Sequence, residues 1–376
     1  MSDAIKPVGM PKWGLAMTEG KVNSWLVAEG ANVNAGDEIM EIETSKITNV
    51  FESPVSGVLR RRVAGEGETL PVGALLGVVA DAGVPDADID AFVERFRQTQ
   101  AEAAAAAPPP EPKLVPAEGW TVRVLKVAPE EVGAALPLLL IHGFGGDYQN
   151  WQFNQPELAA DRAVYAIDLP GHGGSSKAVA GGDVAALAAS VRSAMAALGI
   201  ARAHLAGHSL GGAIALQLAL DEPARVASVT LVCSAGLGPE INAEYIEGFI
   251  RSDRRKDMKA VIETLFADPA FVSKDMIEDL LKYKRLDGAA AALRAIADAV
   301  FPGGRQGAVF AGRLAGLDVP VQAIVGEGDR IIPPSHASAV PEARRHVLSG
   351  AGHMVHIERP AEVNRLIGEF VAFADG

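Results

Sequence analysis

The sequence predicts a multidomain chain in which a small all-β, pseudo-symmetric sandwich precedes an α/β domain. The sheet of that larger domain is expected to be doubly wound and mostly parallel, with a helical cap. Three observations in the 376 residues lead to this prediction. The first part repeats itself at a constant offset, an Ala/Pro-rich segment follows, and the remainder alternates strand-like with helix-like runs. A chain of this length usually holds about two domains.

The internal repeat occupies residues 20–80. A shift of 37 residues places Gly20 on Gly57 and Gly36 on Gly73, with apolar positions matching between them. A short-stranded unit cannot bury its apolar face alone, so the two copies are expected to pair about an approximate two-fold axis. Only the first copy continues beyond its last matched position, through Glu43-Thr44-Ser45-Lys46, into a further strand. Lys46 is therefore expected at an exposed hairpin tip.

Residues 7 to about 81 resemble a lipoyl domain, and the resemblance rests on Glu43-Thr44-Ser45-Lys46. In that family the lysine at the hairpin tip carries lipoic acid in amide linkage, which implies lipoate covalently bound to Lys46. Biotin carriers share the fold but usually flank their lysine with methionines, whereas Ser45 and Ile47 stand here. Ser45 also departs from the aspartate that many lipoyl domains have before the lysine.

The segment 101–118 separates the modules, because a run of alanines gives way to closely spaced prolines that favour extended chain. Before it, Asp86–Gln100 reads as a short helix with an apolar face. The predicted divisions are a carrier domain over 1–82, the helix and linker over 83–119, and a catalytic domain over 120–376 with its cap at about 236–315.

The strongest chemical motif is Gly207-His208-Ser209-Leu210-Gly211, which follows an apolar strand and opens a helical run. A Gly-x-Ser-x-Gly motif in this context makes a tight strand-to-helix turn that exposes the serine as a nucleophile. A serine hydroxyl needs a base, and the base needs an orienting carboxylate. Ser209 is therefore the predicted nucleophile.

Both partners of the serine are expected downstream, at the ends of later strands. Asp329 is the candidate acid and His353, framed by glycines, is the candidate base. Glu327 is a rival acid, and His346 and His356 are rival bases, although His346 falls within a strand.

Backbone amides should stabilise the oxyanion of the transition state. The amide of Leu210 is one candidate, and the amide of Phe144, in the glycine-rich loop after the first strong strand, is the other. His142, His172 and His208 are expected to pack loops or line the pocket, and Asp168 to order its own loop. The apolar cap positions Ile246, Phe249, Phe266, Met276 and Leu280 could line an acyl or pantetheine pocket or serve as packing.

Residues 120–373 resemble the α/β-hydrolase family, with Ser209, Asp329 and His353 matching its triad. The whole combination resembles the acyltransferase component of bacterial acetoin dehydrogenase complexes. That resemblance implies acetyl transfer from the lipoyl arm to coenzyme A. It also implies two partners, a thiamine-diphosphate-dependent dehydrogenase component and a dihydrolipoyl dehydrogenase component. A thioesterase or carbon–carbon bond hydrolase bearing a lipoyl domain, and a scaffold with an inactive hydrolase fold, remain alternatives.

Composition limits the other functions. The net charge of −13 disfavours nucleic acid as a partner, because an acidic surface repels phosphates. Cys233 is the only cysteine, so no disulfide can form within the chain. No signal peptide or membrane span is expected, so the chain is predicted to be cytoplasmic and away from membranes. No metal is expected, and a homo-oligomer is possible.

Overall fold

The computed structural model describes residues 5–11, 19–43, 48–105, 110–131, 133–179 and 181–376. Two compact units make up the chain, an N-terminal unit of residues 1–109 and a C-terminal unit of residues 110–376. Among the helices within these described ranges, none is long and apolar enough to cross a membrane.

The N-terminal unit contains two four-stranded antiparallel sheets, with strand orders β1-β8-β6-β3 and β5-β4-β2-β7. The strands are β1 (Ile5–Gly9), β2 (Glu19–Trp25), β3 (Asn32–Val33), β4 (Glu38–Glu43), β5 (Thr48–Glu52), β6 (Gly57–Arg62), β7 (Thr69–Pro71) and β8 (Leu75–Ala80).

The repeat of the sequence is visible in this arrangement. The strands β3 and β4 begin 37 residues before β7 and β8, respectively. Each sheet combines strands of both copies, because β3 of the first copy joins the sheet of β6 and β8 while β7 joins that of β2 and β4. Val22 and Ile42 of one sheet and Leu59 and Val79 of the other are buried in one apolar cluster. This confirms the predicted pseudo-symmetric sandwich.

A helix closes the N-terminal unit. The helix α1 (Asp86–Ala105) buries Ile89 and Val93 against the outward side chains of β8, Leu75 and Val78 among them. Two ion pairs join the start of the helix to β6, Arg60 with Asp86 (2.7 Å) and Arg61 with Asp90 (2.5 Å). The helix runs beyond its predicted end at Gln100 and belongs to the sandwich, which corrects its assignment to the linker.

The C-terminal unit is built on one eight-stranded sheet of order β16-β15-β14-β13-β11-β12-β10-β9. The strands from β11 to β16 pair in parallel, whereas β10 pairs with β9 and β12 in antiparallel fashion. The strands are β9 (Lys113–Ala117), β10 (Trp120–Val127), β11 (Leu138–Ile141), β12 (Val164–Ile167), β13 (Ala203–His208), β14 (Val226–Val232), β15 (Val321–Gly326) and β16 (Arg345–Leu348).

Helices alternate with the parallel strands, as in a doubly wound sheet. They are α2 (Gln155–Leu158), α3 (Val184–Ala197), α4 (Leu210–Asp221), α5 (Ala243–Arg251), α6 (Arg255–Ile262), α7 (Lys274–Lys284), α8 (Ala289–Val300), α9 (Val355–Glu358) and α10 (Pro360–Asp375). Four of them, α5 to α8, lie between β14 and β15, where the cap was predicted. The predicted α/β class is confirmed.

The start of the C-terminal unit differs from the prediction, which assigned residues up to 119 to a linker. Residues 113–117 form the edge strand β9, hydrogen-bonded to β10 with Pro116 opposite Thr121. Pro116 lacks the amide that a central strand would need, but an edge strand has one side that requires no partner. The proline-rich composition therefore concealed a strand.

Candidate active site

Ser209 occupies the turn between β13 and α4, at the carboxyl edge of the sheet. Its backbone has φ 52° and ψ −119°, a combination that residues with side chains rarely adopt. The neighbouring chain leaves no space for side chains at the two motif glycines. A Cβ on Gly207 would collide with the carbonyl oxygen of Gly211, and one on Gly211 with the carbonyl oxygen of Ile141. Close backbone approach thus requires both glycines.

The segments that carry the predicted oxyanion donors adjoin this turn. A Cβ on Gly143 would lie 2.9 Å from the Cβ of Ser209, so the loop after β11 passes directly against the nucleophile. In that loop, which includes Phe144, the Gly146 amide donates to the Gly143 carbonyl (3.1 Å). Leu210 is the first residue of α4, where amides have no acceptor within their own helix. The assignment of the Phe144 and Leu210 amides to the oxyanion stays a prediction.

The structure brings the candidate acid and base into direct contact. The Nδ1 of His353 lies 2.8 Å from Oδ2 of Asp329, and both side chains are almost fully buried. The other oxygen of Asp329 accepts hydrogen bonds from the amides of Ile331 (2.8 Å) and Ile332 (3.0 Å). A carboxylate only accepts, so Nδ1 of His353 carries the proton and Nε2 is left to act as a base.

The rival residues do not share this contact. Glu327 is exposed in the same loop, and His346 lies half-buried on β16. His356 is buried in α9, where its ring centroid lies 4.5 Å from that of His208 and 4.7 Å from that of Trp151. The geometry therefore favours Asp329 and His353 over the alternatives.

The other histidines at this edge bond backbone groups of the loops. His142 accepts from the Leu169 amide (3.0 Å) and donates to the Gly143 carbonyl (2.7 Å), while burial lowers its pKa to about 4. His172 donates to the carbonyl of Pro170 (3.1 Å), and burial lowers its pKa to about 3. Both rings are therefore neutral near pH 7 and hold the loops in place.

His208 and Asp168 also organise the site. Nε2 of His208 donates to the His353 carbonyl (3.0 Å), and burial lowers the pKa of His208 well below its usual value. Asp168 accepts from the Tyr148 amide (2.8 Å), from the Gly174 amide (2.7 Å) and from Nε of Arg123 (2.5 Å). These contacts give Asp168 a loop-ordering role.

Aromatic side chains of the cap contact the loop of the predicted oxyanion donor. The ring of Phe144 lies 5.9 Å from that of Phe249 in α5 and 6.1 Å from that of Phe301, in both cases edge to face. A Cβ on Gly145 would lie 2.5 Å from the ring of Phe249. Of the apolar cap positions considered in the sequence, Phe249 is thus placed against the loop of the predicted oxyanion donor.

Two buried side chains near the acid–base pair were not among the candidate site residues of the sequence analysis. The thiol of Cys233 accepts from the Gly326 amide (3.4 Å) and donates to the Gly352 carbonyl (3.7 Å), and burial raises the pKa of the thiol well above its usual value. Glu358 accepts from the Gly352 amide (2.6 Å). The available signal for Glu358 was a charged residue directly after the mostly apolar stretch Met354-Val355-His356-Ile357.

The predicted lipoyl attachment site lies between the strands β4 and β5. The strands β4 and β5 pair with Glu43 opposite Thr48, so the chain leaves one strand and begins the next at neighbouring positions. Lys46 belongs to the four residues that join them and lies outside the described residues. The attachment of lipoate to Lys46 therefore stays a prediction.

Family models match both units. Residues 6–79 match the family described as biotin-requiring enzyme, and residues 137–360 match the alpha/beta hydrolase fold. A meta-cleavage product hydrolase from Pseudomonas fluorescens has a similar structure, with a TM-score of 0.62 and 24% sequence identity over 70% of this chain and 98% of that one. At that identity the likeness shows the fold alone.

Two relatives match the chain over almost its whole length. The dihydrolipoyllysine-residue acetyltransferase component of the acetoin cleaving system of Pseudomonas putida is 47% identical, over 98% of both chains. The protein of the same name from Cupriavidus necator is 45% identical, over 98% of this chain and 97% of its own. The chain therefore belongs to the family of dihydrolipoyllysine-residue acetyltransferase components of acetoin cleaving systems.

Proposed function

We propose that this chain transfers an acetyl group from the dihydrolipoyl arm on its own Lys46 to coenzyme A, through a covalent ester on Ser209. The observation that carries the proposal is the 2.8 Å contact between His353 and Asp329, on the same sheet edge as the strained Ser209. Lipoate, when bound, supplies a thioester at the end of a mobile arm. A Ser-His-Asp site suits the transfer of such an acyl group.

In the first half-reaction Ser209 Oγ attacks the carbonyl carbon of the acyl thioester while Nε2 of His353 takes the hydroxyl proton. The carbon–sulfur bond then breaks, and the departing sulfur receives that proton from His353. Amides of Phe144 and Leu210 stabilise the negative charge on the carbonyl oxygen. Asp329 keeps the imidazole in its Nδ1–H form and stabilises the imidazolium.

In the second half-reaction the thiol of coenzyme A replaces the leaving group. His353 takes the thiol proton, the sulfur attacks the ester carbonyl, and the bond to Ser209 Oγ breaks. The proton then returns from His353 to Ser209, so the enzyme ends each cycle unchanged. This sequence predicts ping-pong kinetics.

We also propose that the acetoin-cleaving system of this chain contains the thiamine-diphosphate-dependent dehydrogenase and dihydrolipoyl dehydrogenase components. The names of the two relatives describe a component of an acetoin cleaving system, which supports an assembly of several components. The helix α1 uses Ile89 and Val93 against its own sandwich, which argues against α1 as a separate domain for binding these components. A cytoplasmic location and a homo-oligomeric state stay predictions.

One assay separates the proposal from its alternatives. The purified full chain is supplied with acetyl-dihydrolipoamide and coenzyme A, and both acetyl-CoA and free acetate are measured. Acetyl-CoA as the main product supports the transferase, acetate supports a hydrolase, and neither product supports a scaffold.

The carrier role is tested by intact mass. The natively produced chain should carry the mass increment of one lipoyl group, and the Lys46→Arg variant should lack it. A lipoyl increment that persists after this substitution would place the modification elsewhere.

A further inference from the structure

The carboxylate of Glu358 accepts hydrogen bonds from two separate parts of the C-terminal unit. Glu358 ends α9, and its side chain is 8% exposed. One oxygen accepts from the amide of Gly352 (2.6 Å), the residue directly before His353. The other accepts from the amides of Ala267 (2.8 Å) and Asp268 (3.3 Å), which follow α6 in the cap. Bonds to a charged acceptor are stronger than those between neutral groups.

The same cap segment, residues 263–268, packs directly on the loop of the base. A Cβ on Gly352 would lie 2.7 Å from the Ala267 nitrogen and 2.9 Å from the Leu265 oxygen. The amide of Met354 donates to the Leu265 carbonyl (3.1 Å). The residues on both sides of His353 therefore contact the cap segment.

The acid is linked to this segment as well. Arg330 follows Asp329 in the chain, and its Nη2 donates to the carbonyls of Glu263 (2.6 Å) and Phe266 (2.7 Å). The loops that carry the acid and the base thus share one support in the cap. Because interiors are closely packed, a shift of that support moves both loops.

We propose that Glu358 is a positioning residue through which the cap segment 263–268 sets the placement of His353 for acyl transfer. The inference rests on the proposed function, since it assigns His353 as the base for Ser209. The carboxylate oxygens of Glu358 bond backbone amides, not the side chains of Ser209 or His353. Glu358 acts through the backbone of Gly352, so its loss should slow the chemical step without weakening substrate binding.

The first test is Glu358→Gln in the full chain. Glutamine keeps the size but offers one acceptor oxygen, so its amide nitrogen must face an N–H group on one of the two sides. We expect kcat for acetyl transfer to fall about 10- to 100-fold, as for a small misplacement of a catalytic group. The KM values for acetyl-dihydrolipoamide and coenzyme A should stay within about twofold, since no binding contact is lost.

Labelling of Ser209 with a fluorophosphonate probe distinguishes a misplaced His353 from a protein that has partly unfolded. The end-point labelling of Glu358→Gln should equal that of the unaltered chain, while the rate of labelling falls. Glu362→Gln is the matched control, because Glu362 is exposed in the next helix, and its kcat should not change. Wild-type kcat in Glu358→Gln, or a fall in labelled sites that matches the fall in kcat, would overturn the inference.

A second variant changes the partner of Glu358 in this contact, Gly352. Gly352→Ala forces a Cβ against the backbone of Ala267 and should also lower kcat at constant KM. If both substitutions act on one contact, the double variant should be little slower than the slower single variant, whereas multiplied effects would contradict the inference. Should Ser209→Ala retain full transfer activity, the proposed function would fail, whatever the result at Glu358.

Discussion

In the N-terminal unit, the predicted lipoyl lysine depends on one local feature, the join between β4 and β5. In the C-terminal unit, the candidate site needs Ser209, Asp329 and His353, which follow three different strands. A carrier lysine has to be exposed and reachable, whereas acyl transfer needs a nucleophile, a base and an acid at hydrogen-bonding distances. One chain thus combines a carrier site that depends on a few neighbouring residues with a catalytic site whose residues come together only on folding.

The substitution with the greatest predicted loss of activity is Ser209→Ala, which should affect the catalytic unit but not the carrier. Ser209→Ala should lower acetyl transfer to coenzyme A by at least about 10³-fold, because no other group in the proposed mechanism forms the ester. The intact mass of the variant should still show the lipoyl increment, since that reaction concerns Lys46 alone. If the variant transferred acetyl groups at the original rate, Ser209 would not be the nucleophile and the catalytic role of the C-terminal unit would be contradicted.

Acid should destabilise the C-terminal unit selectively. All eight histidines lie in that unit, and burial lowers the pKa values of His142 to about 4 and of His172 to about 3. Their folded pKa values lie below the unfolded value of about 6.5, so in acid the unfolded state binds more protons than the folded state. Stability is therefore lost as the pH falls from about 6.5 toward 4 for His142 and toward 3 for His172, and each unit of lowering of the pKa contributes about 1.4 kcal/mol per group.

Calorimetry of the full chain between pH 7 and pH 5 checks this difference. The unfolding transition of the C-terminal unit should move to lower temperature by more than that of the N-terminal unit, which has no histidine. Equal displacement of both transitions would mean that the buried histidines do not control the acid response.

A smaller effect is expected from the helix that closes the sandwich. Ile89→Ala removes a fully buried side chain from the contact of α1 with β8 and should destabilise the N-terminal unit by about 2–5 kcal/mol. Transfer from free acetyl-dihydrolipoamide should not change, because the C-terminal unit has its own core. A lowered transition temperature of the C-terminal unit would show that the units are coupled in stability.

The smallest effect concerns the ion pair of Arg61 with Asp90. The pair is 2.5 Å long, but the side chains are 34% and 63% exposed, so water and salt screen it. Arg61→Ala should cost less than about 1 kcal/mol of the stability of the N-terminal unit. A double-mutant cycle with Asp90→Ala measures the pair, and a coupling well above that value would contradict the prediction.

Most of the fold could be predicted from local sequence patterns, because strands, helices and turns depend mainly on residues that are close together in the chain. The repeat placed β4 and β8, and the glycines around Ser209 marked a turn that only glycine neighbours allow. The edge strand β9 was missed because Pro116 is typical of a linker and becomes acceptable only beside β10. The hydrogen bonds of Glu358 to the cap could not be predicted, because its amide partners at positions 267 and 268 are about 90 residues away in the chain.

The two modules, their order, and the residue types able to carry and transfer an acyl group could all be predicted from the amino-acid sequence. Periodicity, turn chemistry and motif spacing depend on neighbours within a few residues, so they can be read without a fold. The fold was needed to show that His353 contacts Asp329 rather than Glu327, and that the Gly352 amide donates to a carboxylate that also bonds the cap. Such choices depend on distances of about 3 Å between remote segments, which no local pattern contains.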